Sequence, residues 1–143
     1  MVKDNYVIGI DFGTESGRVM LVRVTDGEEI AWSVVPYPNG VMDRQLPCGT
    51  PLGHDWALQD PRDYIIVLKE GVPRVMREAG IDADQVLGIG TDFTACTILP
   101  TLRDGTPLAT LPQYGPNPHA WVKLWKHHAA QPEAVRINEI GAA

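Results

Sequence analysis

The chain has 143 residues, of which 44% are hydrophobic and 21% charged, and its formal net charge is −6. This length suits one globular domain with a core of its own, and the composition excludes a disordered chain. The 12 Lys and Arg residues are scattered along the sequence, which argues against a nucleic-acid partner. No apolar stretch approaches the roughly 20 residues that span a membrane, and Asp11 interrupts the first apolar run too early for a secretion signal.

The N-terminal section predicts a three-stranded meander. A β-rich run covers residues 6–11, and a second one covers residues 18–24. Asp26-Gly27 then signals a hairpin, because glycine accepts the positive φ that tight hairpin turns require. The third strand is expected from Glu29 to Val35.

Residues 36–59 are rich in Pro, Gly, Asn and Asp and predict a long loop or insertion. Two roles remain open for this segment. It covers a ligand or a partner surface, or it is a surface excursion packed by its own Trp56, Leu46 and Leu52.

A helix is expected directly after this loop. Asp60 is its predicted N-cap, and Pro61 suits the first turn. Gly80 is expected to end the helix, whereas Gly71 and Pro73 predict a kink near its middle. The residues expected on its apolar face are Ile65, Leu68, Val72, Val75, Met76 and Ala79.

The second half of the chain predicts more strands and two helices. Residues 86–92 form a strand pattern that is too apolar for a sheet edge, and further strands are expected at 96–100 and 108–111. One helix is expected from Asn117 to Ala130, and another from Pro132 to about Ile140. This order predicts an α/β fold with a mixed sheet and excludes the strict alternation of a doubly wound parallel fold. The chain ends just after the last helix, at Gly141-Ala142-Ala143, from which we expect a longer parent protein.

The clearest chemical signal is the segment Ile8-Gly9-Ile10-Asp11-Phe12-Gly13-Thr14-Glu15-Ser16-Gly17-Arg18. A predicted strand delivers the carboxylate of Asp11 directly before a turn of glycine and hydroxyl residues, whose backbone N–H groups can form an anion site. Asp11 is placed to hold Mg²⁺ through water, and Arg18 to bind a phosphate. A tight hairpin in which Asp11 only caps the turn explains the same pattern, so residue chemistry alone leaves both interpretations open.

This segment resembles the first phosphate motif of the actin-like ATPase superfamily, in which sugar kinases, chaperones and actin share a ribonuclease-H-like fold. It is not a Walker-type P-loop, because the Lys and its following helix are missing. The resemblance implies ATP and Mg²⁺ as cofactors. Glu15 stands where many relatives carry a hydroxyl residue, so it is expected to point away from the phosphates or to contact Mg²⁺ through water. The implied phosphate- and Mg-binding residues are Asp11, Gly13, Thr14, Glu15, Ser16 and Arg18.

Two later segments resemble the FGGY carbohydrate kinases. Residues 88–96 carry Gly-x-Asp-x-Thr, and residues 117–129 carry Leu-Trp-Lys-x-His, both of which are typical of the ribulokinase branch of that family. The alternatives are that Asp92 is a buried structural carboxylate and that Trp125 belongs to the core. The sugar-binding residues implied by the resemblance are Asp92, Thr94, Ala95, Trp125 and Lys126.

Histidines and cysteines offer no metal site. His127 and His128 are adjacent and would point about 100° apart on a helix, so they cannot easily bind one metal ion. They are expected to be polar surface residues or residues that support the site. Cys48 and Cys96 lack metal-ligand or redox spacing, and reduced thiols in a cytoplasmic protein are expected.

The resemblance implies that residues 1–143 are the N-terminal, incomplete part of the first kinase domain. The parent protein is expected to transfer the γ-phosphoryl group of ATP to the 5-hydroxyl of L-ribulose in arabinose catabolism. Its general base is expected to be an Asp beyond residue 143, so the chain holds no catalytic residue and is expected to be inactive alone. A xylulose or glycerol kinase, a non-sugar actin-like ATPase and a plain binding domain remain alternatives. The expected partners are the sugar, ATP and the rest of its own chain, with neither nucleic acid nor membrane, and a homo-oligomer stays open.

Overall fold

The computed structural model describes residues 4–142, so Met1-Val2-Lys3 and the final Ala143 of the expected chain ending lie outside the described residues. The rest of the chain falls into two compact units. The first unit runs to Gly40 and resumes over Asp60–Ala95, and the second comprises Val41–Gln59 and the residues from Cys96 onward. Within residues 4–142, no helix is long and apolar enough to cross a membrane.

Residues 4–142 contain six strands, two α-helices and three short 3₁₀ turns. The strands are β1 (Tyr6–Phe12), β2 (Ser16–Arg23), β3 (Glu29–Pro36), β4 (Leu58–Gln59), β5 (Val86–Phe93) and β6 (Val122–Lys123). The helices are α1 (Pro61–Ala79) and α2 (Gln131–Gly141), and the 3₁₀ turns are Ala83–Gln85, Leu108–Thr110 and Pro118–Ala120.

The first unit is built on a four-stranded sheet with the order β3-β2-β1-β5. Strands β1, β2 and β3 form an antiparallel meander, and β5 pairs with β1 in parallel. The predicted meander and the predicted mixed sheet are therefore confirmed. Gly27 adopts φ 77° in the turn between β2 and β3, as the hairpin signal required.

Helix α1 covers one face of this sheet, and both of its predicted ends are confirmed. Its buried stripe runs through Asp63, Val67, Gly71 and Val75, which are spaced four residues apart. The predicted apolar face was partly wrong, because Ile65 is 48% exposed and Leu68 is exposed as well. The kink expected near Pro73 stays a prediction.

Gly71 decides which face of α1 is buried. A Cβ atom at this position would lie 2.6 Å from Cγ2 of Val19 on β2, so only glycine lets the helix approach the sheet this closely. From the sequence, Gly71 was expected only to contribute to a kink in the helix. The structure shows that it is the point of closest packing.

The N-cap of α1 is a buried carboxylate with several donors. Asp60 is fully buried and accepts hydrogen bonds from the Arg62 N–H (2.9 Å) and from Nδ2 of Asn39 (3.2 Å). The guanidinium of Arg62 also pairs with it from a largely exposed position. Asp60 therefore joins the start of the helix to the end of the meander.

Replacing Asp60 by Ala is expected to lower the free energy of unfolding by about 2 kcal/mol, because the helix loses its cap. Arg62→Ala should cost less than Asp60→Ala, because the Arg62 N–H and Nδ2 of Asn39 would still donate to the buried carboxylate. Urea unfolding of both variants checks this. Equal losses for the two variants would show that the ion pair, and not the cap, is what stabilises the helix start.

Strand β5 corrects the expectation that residues 86–92 avoid a sheet edge. It lies at the edge of the four-stranded sheet, and Leu87 and Ile89 are 61% and 54% exposed. An apolar strand pattern indicates that the side chains favour burial, but it does not indicate whether the strand has a neighbouring strand on each side. This is why the pattern misplaced the strand within the sheet.

Residues 96–130 contain less regular structure than the sequence predicted. In place of a strand at 96–100, Ile98 forms one isolated bridge with Lys123, and a 3₁₀ turn replaces the strand expected at 108–111. The helix expected from Asn117 is only a 3₁₀ turn, because Trp121 is 3% exposed and the next residues pair with β4. Burial of Trp121 and strand pairing outweigh the local helix signal. The last predicted helix is confirmed as α2.

The second unit has its own core, to which the long loop contributes. Buried Met42, Leu46 and Leu58 pack with residues of the second half of the chain, Ala109, Ala120 and Trp121. Leu52 and Trp56 pack against this cluster and are partly buried. The loop is thus packed by residues beyond its own, whereas a role in covering a ligand or partner stays a prediction.

Candidate functional site

The turn between β1 and β2 brings a carboxylate and a guanidinium together. Asp11 and Arg18 are opposite each other in the register of β1 and β2, and Nη1 of Arg18 donates to Oδ2 of Asp11 over 2.7 Å. Their side chains remain 44% and 60% exposed. An exposed ion pair contributes only about 0–1 kcal/mol, so it can open for a stronger ligand at little cost.

A recess lies next to this ion pair. The turn itself is tight, because the Gly13 N–H donates to the Ser16 carbonyl over 3.0 Å. Thr94 joins the recess from the end of β5, and its N–H donates to the Phe12 carbonyl (3.3 Å). The sequence had grouped Thr94 with the sugar-binding residues. The residues that line the recess are Asp11, Gly13, Thr14, Glu15, Ser16, Arg18 and Thr94, which include all six of the predicted phosphate-motif residues.

A second carboxylate lies at the same edge of the sheet. Asp92 is the register partner of Asp11 across the parallel pair of β1 and β5. Its Oδ1 accepts a hydrogen bond from the Phe93 N–H (2.9 Å), and its side chain is exposed. Asp92 is therefore not buried within residues 4–142, and its role stays a prediction. Ala95 follows in an exposed position at the end of the first unit.

The oxygen-rich composition of this edge suits a magnesium ion that is shared with a ligand. Within residues 4–142, no three His, Cys, Asp or Glu side chains are grouped so that they could hold a metal ion by themselves. Mg²⁺ in nucleotide sites usually keeps several waters and takes only one or two protein carboxylates, with phosphate oxygens completing its shell. Asp11 fits that requirement, since it is accessible and lines the same recess as Thr14 and Ser16.

The other predicted sugar-binding residues lie in the second unit. Trp125 is 54% exposed and so lies outside the core of the described residues, and its role stays a prediction. Lys126 lines a recess together with Asp43, His54 and Trp56. The predicted site residues thus fall into two groups, one in each unit. Asp92, Thr94 and Ala95 lie in the first unit, as does the turn between β1 and β2, and Trp125 and Lys126 lie in the second.

His127 has a more specific role than the sequence indicated. The Ala57 N–H donates to its Nδ1 over 3.2 Å, and its ring meets the ring of Trp56 edge to face with centroids 4.8 Å apart. Burial lowers the pKa of His127, and the nearby Lys123 and His119 lower it further, as does His128. No sequence signal pointed to this contact, because it joins residues 70 positions apart.

The lowered pKa of His127 predicts that the protein loses stability in mild acid. The folded-state pKa lies below the ordinary value of 6.5. The contribution of the neutral His127 ring to the free energy of unfolding is therefore complete above pH 6.5, and it is lost as the pH falls through the folded-state pKa. Denaturant unfolding at about pH 7.5 and about pH 5.5 measures the loss. His127→Asn keeps an acceptor but does not titrate, so its loss should be smaller. An identical loss in both proteins would contradict the prediction.

Comparison with known proteins identifies relatives of the whole chain. A ribulokinase from Halalkalibacterium halodurans is 58% identical over 136 residues, which are 94% of this chain and 24% of that protein. A ribulokinase from Geobacillus thermodenitrificans is 56% identical over 138 residues, which are 96% of this chain and 24% of that protein. No protein-family model matches the chain. The chain is therefore a homologue of ribulokinases that spans about a quarter of their length, and the resemblance found in its motifs is confirmed.

A solved structure supports the fold independently. The crystal structure of a gluconate kinase from Lactobacillus acidophilus superposes with a TM-score of 0.72 at 16% identity, and the match covers 97% of this chain and 23% of that one. At so low an identity, the likeness establishes the fold alone. It confirms the expected mixed α/β fold.

Proposed function

We propose that this homologue of ribulokinases is the N-terminal part of the first domain of a cytoplasmic, ATP-dependent kinase that phosphorylates L-ribulose at its 5-hydroxyl in arabinose catabolism. The observation that carries the proposal is the recess in which all six phosphate-motif residues meet. The names of its relatives favour ribulose as the sugar.

The residues of the first unit would bind the phosphate end of Mg-ATP. The carboxylate of Asp11 would hold magnesium-bound water, while the hydroxyl groups of Thr14 and Ser16 donate to phosphate oxygens. Arg18 would leave Asp11 and bind a phosphate oxygen as a charge-assisted donor. Mg²⁺, when bound, neutralises phosphate charge. Glu15 is exposed, so its carboxylate can point away from the phosphates and avoid repelling them.

The sugar would be bound by the five residues that the two later motifs imply. Trp125 presents an exposed apolar ring that suits the C–H groups of a polyol, and Lys126 can donate to a hydroxyl group. Asp92 can accept hydrogen bonds from sugar hydroxyls, and Thr94 and Ala95 bring backbone groups to the same loop. These five residues would orient the sugar, since phosphoryl transfer is mainly a matter of positioning and charge neutralisation.

The general base is proposed to be an Asp in the part of the parent protein beyond residue 143. Residues 1–143 would then bind ligands weakly and transfer no phosphate. Phosphorylation of L-ribulose by residues 1–143 alone, above a catalyst-free background, would contradict this assignment.

A substrate panel on the full-length parent protein tests the proposed function. L-ribulose, D-ribulose, D-xylulose and glycerol are compared as acceptors with Mg-ATP, and kcat/KM is measured for each. A preference for L-ribulose supports the proposal. A preference for xylulose or glycerol would assign the protein to another branch of the sugar kinases. ATP hydrolysis without transfer to any polyol would favour a non-sugar ATPase of the same fold.

A further inference from the structure

We propose that His127 is a positioning residue that fixes the turn on which Trp125 and Lys126 are presented to the sugar. The inference rests on the proposed function, in which these two side chains bind substrate. The turn begins at Leu124 and is closed by the His127 N–H, which donates to the Leu124 carbonyl over 3.0 Å. Trp125 and Lys126 are its two central residues, so the backbone of the turn sets the direction of both side chains.

Three hydrogen bonds hold this turn to the segment before β4. The Leu124 N–H donates to the Ala57 carbonyl (3.0 Å), and the His128 N–H donates to the Asp55 carbonyl (2.9 Å). The third is the Ala57 N–H, which donates to Nδ1 of His127 (3.2 Å). Both backbone groups of Ala57 thus form hydrogen bonds with the turn. Its carbonyl accepts from a backbone N–H, whereas its N–H donates to the imidazole and not to a backbone carbonyl.

The imidazole can accept this hydrogen bond in one protonation state only. Nδ1 must be unprotonated, which leaves the ring proton on Nε2. The edge-to-face contact with Trp56, at an interplanar angle of 84°, restricts rotation of the ring. Trp56 also lines the recess that Lys126 borders. The ring of His127 therefore connects the turn to the wall of that recess.

Loss of the acceptor would release the turn without removing either substrate-binding side chain. Ala57 is buried, and an unsatisfied N–H there would be costly, so the chain would shift to pair it elsewhere. Small displacements of positioning groups reduce catalysis strongly. The expected consequence is weaker sugar binding, with ATP binding unchanged.

Two variants of the full-length protein separate the acceptor from the ring. His127→Asn supplies an oxygen close to the position of Nδ1 but has no ring. His127→Phe keeps a ring against Trp56 but has no acceptor. His128→Phe is the matched control, since the side chain of His128 is exposed on the neighbouring position. Steady-state kinetics with L-ribulose and Mg-ATP give KM for each substrate and kcat.

His127→Phe is expected to raise KM for the sugar about tenfold or more and to leave KM for ATP unchanged. His127→Asn should restore most of the sugar affinity, and His128→Phe should match the wild type. If the wild type is active, either of two results would overturn the inference. One is an unchanged KM for the sugar in His127→Phe, and the other is an equal rise of that KM in the Phe and Asn variants. A wild type that phosphorylates no sugar would instead overturn the proposed function, and the inference with it.

A measurement on the wild type keeps the inference testable if His127→Phe does not fold. Nitrogen NMR of the histidine-labelled full-length protein at neutral pH reports which ring nitrogen of His127 carries the proton. An unprotonated Nδ1 is expected. A proton on Nδ1 would exclude the hydrogen bond from Ala57 and would overturn the inference.

Discussion

Asp11→Asn in the full-length protein is expected to lower kcat for Mg-ATP-dependent sugar phosphorylation by about 10²–10³-fold. The amide keeps the size of the side chain and can still accept a hydrogen bond from Arg18, but it removes the negative charge that would hold magnesium-bound water. The sugar KM should change little, because Asp11 is assigned to the phosphate end of the site. Initial rates at saturating sugar, measured over a series of magnesium concentrations, check this.

The matched control is a carboxylate outside the site. Glu70 is exposed on α1, so Glu70→Gln removes the same charge without altering the recess and should keep wild-type kcat. An Asp11→Asn variant that retained more than about a tenth of the wild-type rate would contradict the assignment of Asp11 to magnesium and phosphate. The alternative in which Asp11 only caps a hairpin would then be the better account.

Gly17→Ala is expected to produce the largest loss of stability. Gly17 lies on β2 beneath α1, and an added Cβ would lie 2.4 Å from Cγ2 and 2.6 Å from Cγ1 of Val67. Val67 is fully buried and β-branched, so one side-chain rotamer is strongly preferred in the helix. The overpacked side chain should therefore push α1 from the sheet. The expected cost is about 3 kcal/mol, at the upper end of overpacking effects.

Gly9→Ala provides the comparison for this prediction. Gly9 lies on the neighbouring strand β1, and no atom of the described residues 4–142 lies within 4 Å of an added Cβ. Alanine there should be neutral or stabilise the protein by about 0.5 kcal/mol, because glycine is unfavourable within a strand. Thermal unfolding of both full-length variants measures the difference. Equal midpoints would contradict the close approach of α1 to β2, whereas recovery in Gly17→Ala/Val67→Ala would locate the cost at this contact.

The start and end of α1 could be predicted because their causes are local. Asp60 accepts from the N–H of a residue two positions away, and Gly80 adopts φ 65°, which glycine tolerates without strain. The first hairpin is local in the same sense. Such features depend only on residues close together in the sequence, so a local sequence pattern can predict them.

The region after Cys96 could not be predicted in the same way. The helix signal that begins at Asn117 correctly predicts one turn, since the side chain of Asn117 accepts a hydrogen bond from the His119 N–H (3.0 Å). It ends there because the indole of Trp121 is buried and donates to the Gly115 carbonyl (2.9 Å), and because Val122 pairs with Gln59. Pairing between residues so far apart in sequence is invisible to a local pattern.

The sequence by itself determined the strand meander and the limits of α1, because short-range sterics and hydrogen bonding specify them. The order of its elements also predicted the mixed sheet. Only the tertiary structure decided that β5 lies at a sheet edge, that Gly17 and Gly71 are contact points, and that His127 binds Ala57. These features arise where segments distant in sequence come into contact. Close packing there permits only one residue type, which is glycine where a side chain would clash. Burial and pairing across the fold, more than local preference, placed the residues of the candidate site.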